Sequence, residues 1–212
     1  MLNTIYHKIP NVWNLSNDNK SYDLDSFRSP EIQYLSNQDW IWSEKIDGTN
    51  TRVIWDGHKV SFAGRTERSQ MRPDVKTMLN ELFGGEIQET KFEELFGEKN
   101  VILFGETYGG NIQGVGKKYR QDPAFRMFDV MIDGYWMPYA VMMEIAAKLN
   151  VKAVPVFMIG NIFEAMEELK KIDQTMIEGT APIEGVVGTP TVRLLDNNHN
   201  RIIVKLKKCF LP

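Results

Sequence analysis

Two Asp-Gly dipeptides, Asp56-Gly57 and Asp133-Gly134, each stand between runs of alternating apolar residues, in NTRVIWDGHKVSFAGR and FRMFDVMIDGYWM. Such a dipeptide tolerates the positive φ angles of a two-residue hairpin turn, so each pair of runs is expected to fold back as antiparallel strands. The runs WIWSEKI from Trp40, VILFGE, VKAVPVFMIG and IEGVVG read as further strands. A last β segment is expected from TVRLLD and RIIVKLK around Asn197-Asn198-His199-Asn200. Helical spacing intervenes four times: Val75, Met78, Leu79 and Leu82; Thr90 to Phe96, closed by Gly97; Val141, Met142, Ile145, Ala146 and Leu149; and Phe163, Met166, Leu169 and Ile172. Hairpins interrupted by helices predict an α+β chain, with antiparallel sheets flanked by helices and no regular βαβ alternation. The first 35 residues are polar and are expected to wrap irregularly over the surface.

With 212 residues, 42% hydrophobic and 25% charged, the chain can bury a full core, and its composition is not that of a disordered or collagen-like protein. A single cysteine, Cys209, excludes an internal disulfide and a cysteine-built zinc site. No apolar stretch approaches the roughly 18 residues of a membrane span, and MLNTIYHKIPNVW has no secretory pattern, so a cytoplasmic protein without membrane association is expected. The net charge of −3 argues against a general polyanion coat. Locally, Lys117, Lys118 and Arg120 cluster, as do Lys205, Lys207 and Lys208, and Arg65, Arg68 and Arg72 lie close in sequence. Each cluster suits phosphate, and equally a solvated face.

Period-two geometry places Lys205 and Lys207 on one face of a strand, with Val204 and Leu206 on the other. Two parallel ammonium groups fit a phosphate, and also an edge strand protected against aggregation. Lys45 ends an apolar strand and is followed by Asp47, Gly48, Thr49 and Asn50, which sets an amine at the rim of a sheet. Glu106 ends another buried strand. Phe128 has core packing as its plain reading and Asp129 a hairpin cap. The loop from Gly109 to Gly116 has no Walker lysine-serine pair, and His7, His58 and His199 are scattered.

The order of these elements is more specific than any one of them. EKIDG, AGR, FGE, FRMFDV, EGVV and VKLK follow one another between Glu44 and Lys207. This series resembles the covalent nucleotidyltransferase superfamily of DNA ligases, RNA ligases and capping guanylyltransferases. EKIDGTN with FRMFDV is most similar to the nick-sealing, editing-type RNA ligase branch. The resemblance implies an ATP-grasp-like nucleotidyltransferase fold and an ATP-dependent ligase that joins 5′-phosphate to 3′-OH ends. Lys45 would form the lysyl-AMP, and Lys205 and Lys207 would hold the α-phosphate. Glu44 would accept from the adenine amino group, Phe128 would stack on the base, Glu106 would bind the ribose, and Arg65 would reach the ribose and phosphate region. Gly48 and Asn50 belong to the nucleotide-binding set, Asn50 and Asp129 being tied to the later steps. Asp47, Glu106 and Glu184 would hold hydrated Mg2+ or Mn2+.

A free lysine, with pKa about 10.4, is neutral in only about one molecule in 2,500 at pH 7, so a nucleophilic Lys45 needs neighbouring cations or desolvation. An arginine could not serve, because it does not deprotonate. The partner implied is nicked or broken nucleic acid, RNA in the first place. A minimal DNA ligase and a non-catalytic end-binding subunit are the alternatives, and a capping enzyme would use the same chemistry with GTP. Five residues follow Lys207, where relatives continue into an OB-fold or helical module. A single adenylyltransferase domain over 1–212 is therefore expected, with room for a partner subunit in place of that module. Gly64 stands where related ligases often carry a basic residue.

Overall fold

The computed structural model describes residues 2, 4–66 and 69–212; Arg68, of the Arg65–Arg68–Arg72 cluster, lies outside them. The chain divides into two compact units, one of Met1–His7 with Asp47–Val154 and one of Lys8–Ile46 with Pro155–Pro212.

In the first unit, β4 (Thr49–Trp55), β5 (Val60–Gly64), β6 (Val101–Tyr108), β7 (Ala124–Ile132) and β8 (Tyr135–Trp136) form an antiparallel sheet in the order β5-β4-β6-β7-β8. Asp133 and Gly134, at φ 49° and 85°, make the two-residue turn between β7 and β8. The other hairpin turns one residue later than expected. Asp56 N donates to Lys59 O, so Gly57 and His58 are the central pair, with Gly57 at φ 95°. The Asp56 carboxylate caps that turn by accepting from His58 N and Lys59 N, which is why aspartate serves better before the turn than within it.

Helices α2 (Pro73–Phe83), α3 (Glu86–Phe96) and α5 (Tyr139–Lys148) belong to this unit, with the short α4 (Gly116–Tyr119). Pro73 opens α2, where its missing N–H costs nothing, and Val75, Leu79 and Phe83 form its buried stripe. These side chains share one core with Phe92 of α3, Met142 and Ile145 of α5, and Val53, Leu103 and Val130 of the sheet. Each such fully buried side chain contributes about 1.5–3 kcal/mol.

The second unit holds β3 (Trp40–Lys45), β9 (Val156–Gly160), β10 (Gly185–Pro190) and β11 (Val204–Lys207), an antiparallel sheet in the order β11-β10-β3-β9. Helix α6 (Ile162–Lys171) starts on a capping box between Asn161 and Glu164. It buries Ile162, Ala165, Met166 and Leu169 against Trp40, Trp42, Val186, Val204 and Leu206. Phe163, read as part of the core stripe, is 40% exposed at its rim.

Three expectations are corrected here. The first 35 residues are not a surface wrap: they form β1 (Trp13–Leu15), β2 (Tyr22–Phe27) and α1 (Pro30–Tyr34). Val12, Trp13, Tyr22 and Ile32 enter the core, because a few large side chains bury enough area to hold an otherwise polar segment. The strand read across 151–160 begins only at Val156, after Pro155, which has no N–H to donate. Residues 151–154 instead lie in the first unit, where Met127 N donates to Lys152 O and Val154 N to Met127 O. The hairpin expected between Pro190 and Val204 is reduced to a short one: Leu195 bridges Arg201, Ile202 N donates to Leu194 O and Asp196 N to Asn200 O, and no regular strand forms before Val204. The Asp196 carboxylate gathers Asn198 N and Asn200 N into a tight turn, and Val192 and Leu195 stay exposed.

Candidate active site

The residues singled out in the sequence fall into two sets, one on each unit. In the second unit, β3 alternates strictly. Trp40, Trp42 and Glu44 face the core, and Ile41, Ser43 and Lys45 face the other way. Lys45 pairs with Gly185, and Gly185 with Lys207, so the two lysines flank a glycine in one row across three strands. Strands lie about 4.8 Å apart, which leaves roughly 10 Å between the two lysine backbones. Glu184 fills that gap. Its carboxylate accepts from Lys45 Nζ at 2.5 Å and from Lys207 Nζ at 2.9 Å. Gly185 has no alternative, because a Cβ there would stand 2.0 Å from Leu206 O.

Lys205 follows on the same face of β11, paired through Val187 with Ser43. Its pKa is pulled down, first by burial and then by the ammonium groups of Lys45 and Lys207, with Glu184 working against them. This is a surface on which three ammonium groups share the one carboxylate of Glu184. The third lysine of the terminal cluster leaves the strand: Lys208 Nζ reaches Asp173 at 2.7 Å and the carbonyl of Ile172. Its backbone N–H donates to Glu184 O, which anchors the carboxylate-bearing residue.

Glu44 is 2% exposed and faces away from Lys45. One carboxylate oxygen accepts from the Thr175 hydroxyl, and the other accepts from Met176 N at 2.8 Å. A sequence reading had no means of finding these partners, since they lie some 130 residues away in a segment without periodicity.

In the first unit, Asp47 and Gly48 form the turn into β4. Asp47 N donates to Tyr119 Oη at 3.2 Å, and Gln113 Nε2 donates to Gly48 O at 2.9 Å. Both donor and acceptor come from the Gly-rich stretch around α4, so that loop braces the motif turn. A Cβ on Gly48 would meet Thr107 O at 2.3 Å and Glu106 Cγ at 2.8 Å. The absence of a side chain thus lets the turn press against the residue expected to contact ribose. Asn50 pairs directly with Glu106, and Glu106 with Arg126. Asn50 Oδ1 is buried with no hydrogen-bond partner among the described residues.

Phe128 occupies a β-bulge. Phe104 pairs with Asp129 and Gly105 with Met127, so Phe128 is the extra residue, which is how a strand re-aims a side chain. Its ring stands edge-on to Tyr6, at 5.1 Å between centroids. Asp129 is buried, accepting from Tyr6 Oη at 2.9 Å and from Val130 N at 3.0 Å. Arg65 is exposed just past the end of β5.

Among the described residues no three His, Cys, Asp or Glu side chains gather into a metal cage. Asp47, Glu106 and Glu184 are hard oxygen donors of the kind Mg2+ and Mn2+ take, and such ions commonly bind through one or two carboxylates, several waters and substrate phosphates. The chemistry of each carboxylate suits a hydrated ion completed by phosphate oxygens, and none of them belongs to a closed protein cage among the described residues. Among the described residues no helix is long and apolar enough to cross a membrane.

Solved structures of an RNA ligase from Naegleria gruberi share this fold. A lysine variant with ATP and Mn superposes with TM-score 0.67 at 16% identity, covering 96% of this chain and 56% of that one. A second variant, with AMP and Mn, gives 0.66 at 16% identity, covering 96% and 56%. A form with PPi gives 0.66 at 16% identity, covering 94% and 54%. This chain thus spans little more than half the length of those ligase chains. No curated protein matches it. The sequence profile described as RNA ligase matches residues 38–207. That stretch is well over half of the 212 residues and runs unbroken from the strand carrying Lys45 to Lys207, and the chain belongs to the RNA ligase family.

Proposed function

We propose that this chain is an ATP-dependent ligase that seals broken RNA, joining 5′-phosphate to 3′-OH ends through lysyl-AMP. The observation that carries the reading is the row Lys45–Gly185–Lys207 with Glu184 bridging the two ammonium groups and Lys205 beside them. Lys45 Nζ is the nucleophile. Its ammonium must first lose a proton, and the Glu184 carboxylate at 2.5 Å is placed to accept it. The free amine then attacks the α-phosphorus of ATP, the bond to the β-phosphate oxygen breaks, and pyrophosphate leaves with that electron pair. Lys205 and Lys207 neutralise charge on the phosphoryl oxygens as it develops, in a setting where fixed cations need no reorganisation.

Next, an oxygen of the RNA 5′-phosphate attacks the lysyl-AMP phosphorus, the P–N bond breaks, and the amine takes up a proton. Finally the 3′-OH oxygen attacks the capped 5′-phosphate and gives up its proton to solvent, the P–O bond to AMP breaks, and AMP leaves with that electron pair. Mg2+ or Mn2+, when bound, supplies further positive charge at the phosphate oxygens, and Asp47, Glu106 and Glu184 are the carboxylates proposed to hold it through water. Phe128, re-aimed by its bulge, is proposed to stack on adenine. Glu106 is proposed to contact the ribose and Arg65 the ribose and phosphate region, with Gly48 and Asn50 beside Glu106 in the nucleotide-binding set. Glu44, whose oxygens are occupied by Thr175 and Met176, would have to exchange those partners to accept from the adenine amino group.

Intact-mass measurement after incubation with ATP and magnesium tests the first step. One added AMP is expected, absent in Lys45→Ala. An adduct that persists in that variant would remove Lys45 from this role. Matched nicked duplexes with RNA or DNA at each strand end then test the substrate, and equal sealing of all-DNA nicks would overturn the RNA assignment.

A further inference from the structure

The cation cluster has a fourth member. The segment 10–12 docks along the free edge of β11: Asn11 bridges Lys205 in parallel, Lys205 N donates to Pro10 O at 2.9 Å, and Val12 N donates to Lys205 O at 3.2 Å. The fully buried Val12 and Trp13 clamp the segment onto the second unit. Lys8 lies two residues before Pro10, within about 7 Å of it along the chain, and Pro10 holds the intervening Ile9 extended. Lys8 is exposed, and its positive charge acts on Lys205 together with those of Lys45 and Lys207. Its ammonium has no ion-pair partner among the described residues.

We infer that Lys8, carried to the edge of β11 by the N-terminal segment, is a substrate-binding residue that contacts a phosphate group next to the one held by Lys205 and Lys207. Four ammonium groups stand against the one carboxylate of Glu184 in this cluster, in a protein whose net charge is −3. Such a surplus repels itself until an anion with more than one charge arrives. In the proposed reading a single phosphoryl group engages Lys205 and Lys207, so a cation at the rim is placed for its neighbour. That neighbour is either the pyrophosphate portion of ATP or the phosphate of a nucleic-acid end. The inference rests on the proposed reading of the same lysines as phosphate contacts.

Calorimetry with inorganic pyrophosphate on the full, ATP-free chain tests the contact without requiring any chemistry. Lys8→Gln should weaken binding about three- to tenfold, Lys8→Arg should restore most of it, and Lys20→Gln, on the β1–β2 turn, should leave it unchanged. A second arm measures the sealing rate of a pre-adenylylated nick against substrate concentration. Loss in the first arm assigns Lys8 to pyrophosphate. Loss confined to the second, as a raised KM with kcat kept and rescue by arginine, assigns it to the nucleic-acid phosphate. No change in either arm overturns the inference, and so does a loss that arginine fails to rescue and that tracks a lowered melting temperature. If the wild-type chain binds pyrophosphate through Lys8 but never forms lysyl-AMP, the ligase reading fails and this contact stands.

Discussion

Lys205 carries opposite demands from stability and from chemistry. Burial and two neighbouring ammonium groups lower its pKa in the folded chain. Protonating it therefore costs the native state more than the unfolded one, and stability on this account rises as pH climbs from the folded pKa towards the ordinary value of 10.5. Lys205→Met should remove that rise and, at neutral pH, melt at or about 1 °C above the wild type, because the group is only partly buried. The same variant should form lysyl-AMP at least tenfold more slowly. Lys208→Ala should adenylylate within about twofold of wild type, since Lys208 is engaged with Asp173 and Ile172 outside the cluster. Thermal scans and single-turnover mass measurements on both variants decide this. Equal rate losses would mean that the two lysines serve one site.

Tyr22 gives a sharper pH signature. Its hydroxyl accepts from Lys207 N at 2.8 Å, and burial pushes its pKa up to about 12. Below pH 10 the phenol is neutral in both states and its contribution is fully present. Between pH 10 and 12 the unfolded chain ionises first, and of the order of 2 kcal/mol is lost. Denaturant melts should fall across that window in the wild type and fall less in Tyr22→Phe. The Phe variant should also lose about 1 kcal/mol at pH 7, because the Lys207 N–H is left without its acceptor.

Among the elements, α6 and β10 show how single residues hold the site's support. The Asn161 side chain accepts from Phe163 N and Glu164 N, while the Glu164 carboxylate returns to Asn161 N. Asn161→Ala should cost about 1 kcal/mol and lower the melting temperature by about 2–4 °C, with lysyl-AMP formation kept below the transition. Gly185→Ala should be far more severe, since its methyl group meets Leu206 O. A soluble Gly185→Ala chain with normal adenylylation would show that the β10–β11 pairing yields more readily than this contact implies. Gly188 has a related reason: a Cβ there would meet the Trp42 indole at 2.5 Å, so the core face of β3 depends on a glycine across from it.

For the whole molecule, a net charge of −3 means that the proposed nucleic-acid binding would have to come from local cations. Lys117, Lys118 and Arg120 are exposed on and just after α4, and the loop that carries them is braced on the motif turn through Gln113 and Tyr119. Binding to nicked duplex RNA should therefore have a shallow salt dependence. Reversing both lysines, Lys117→Glu with Lys118→Glu, should lower the magnitude of the log–log slope by about 2 and leave lysyl-AMP formation unchanged. An unchanged slope would place the phosphate contacts elsewhere.

What local chemistry decides was legible in the sequence. Period-two alternation put Lys205 and Lys207 on one face and Lys45 at a strand end, and Asp133-Gly134 set a turn that φ angles of 49° and 85° then occupy. Helical spacing found the buried faces of α2 and α5. These features need only neighbours within a few residues. The ordered motifs, from EKIDG to VKLK, likewise sit on one chain and can be read along it. What pairs with what over 100 residues or more could not be read this way. Glu184 lies 139 residues from Lys45, and Thr175 lies 131 from Glu44. The burial of Trp13, the docking of segment 10–12 on β11 and the bulge at Phe128 each depend on a partner strand that no local pattern specifies. Propensity and turn chemistry act within a turn or two, whereas strand order and side-chain packing are settled only when distant segments compete for the same core and the same unpaired edge.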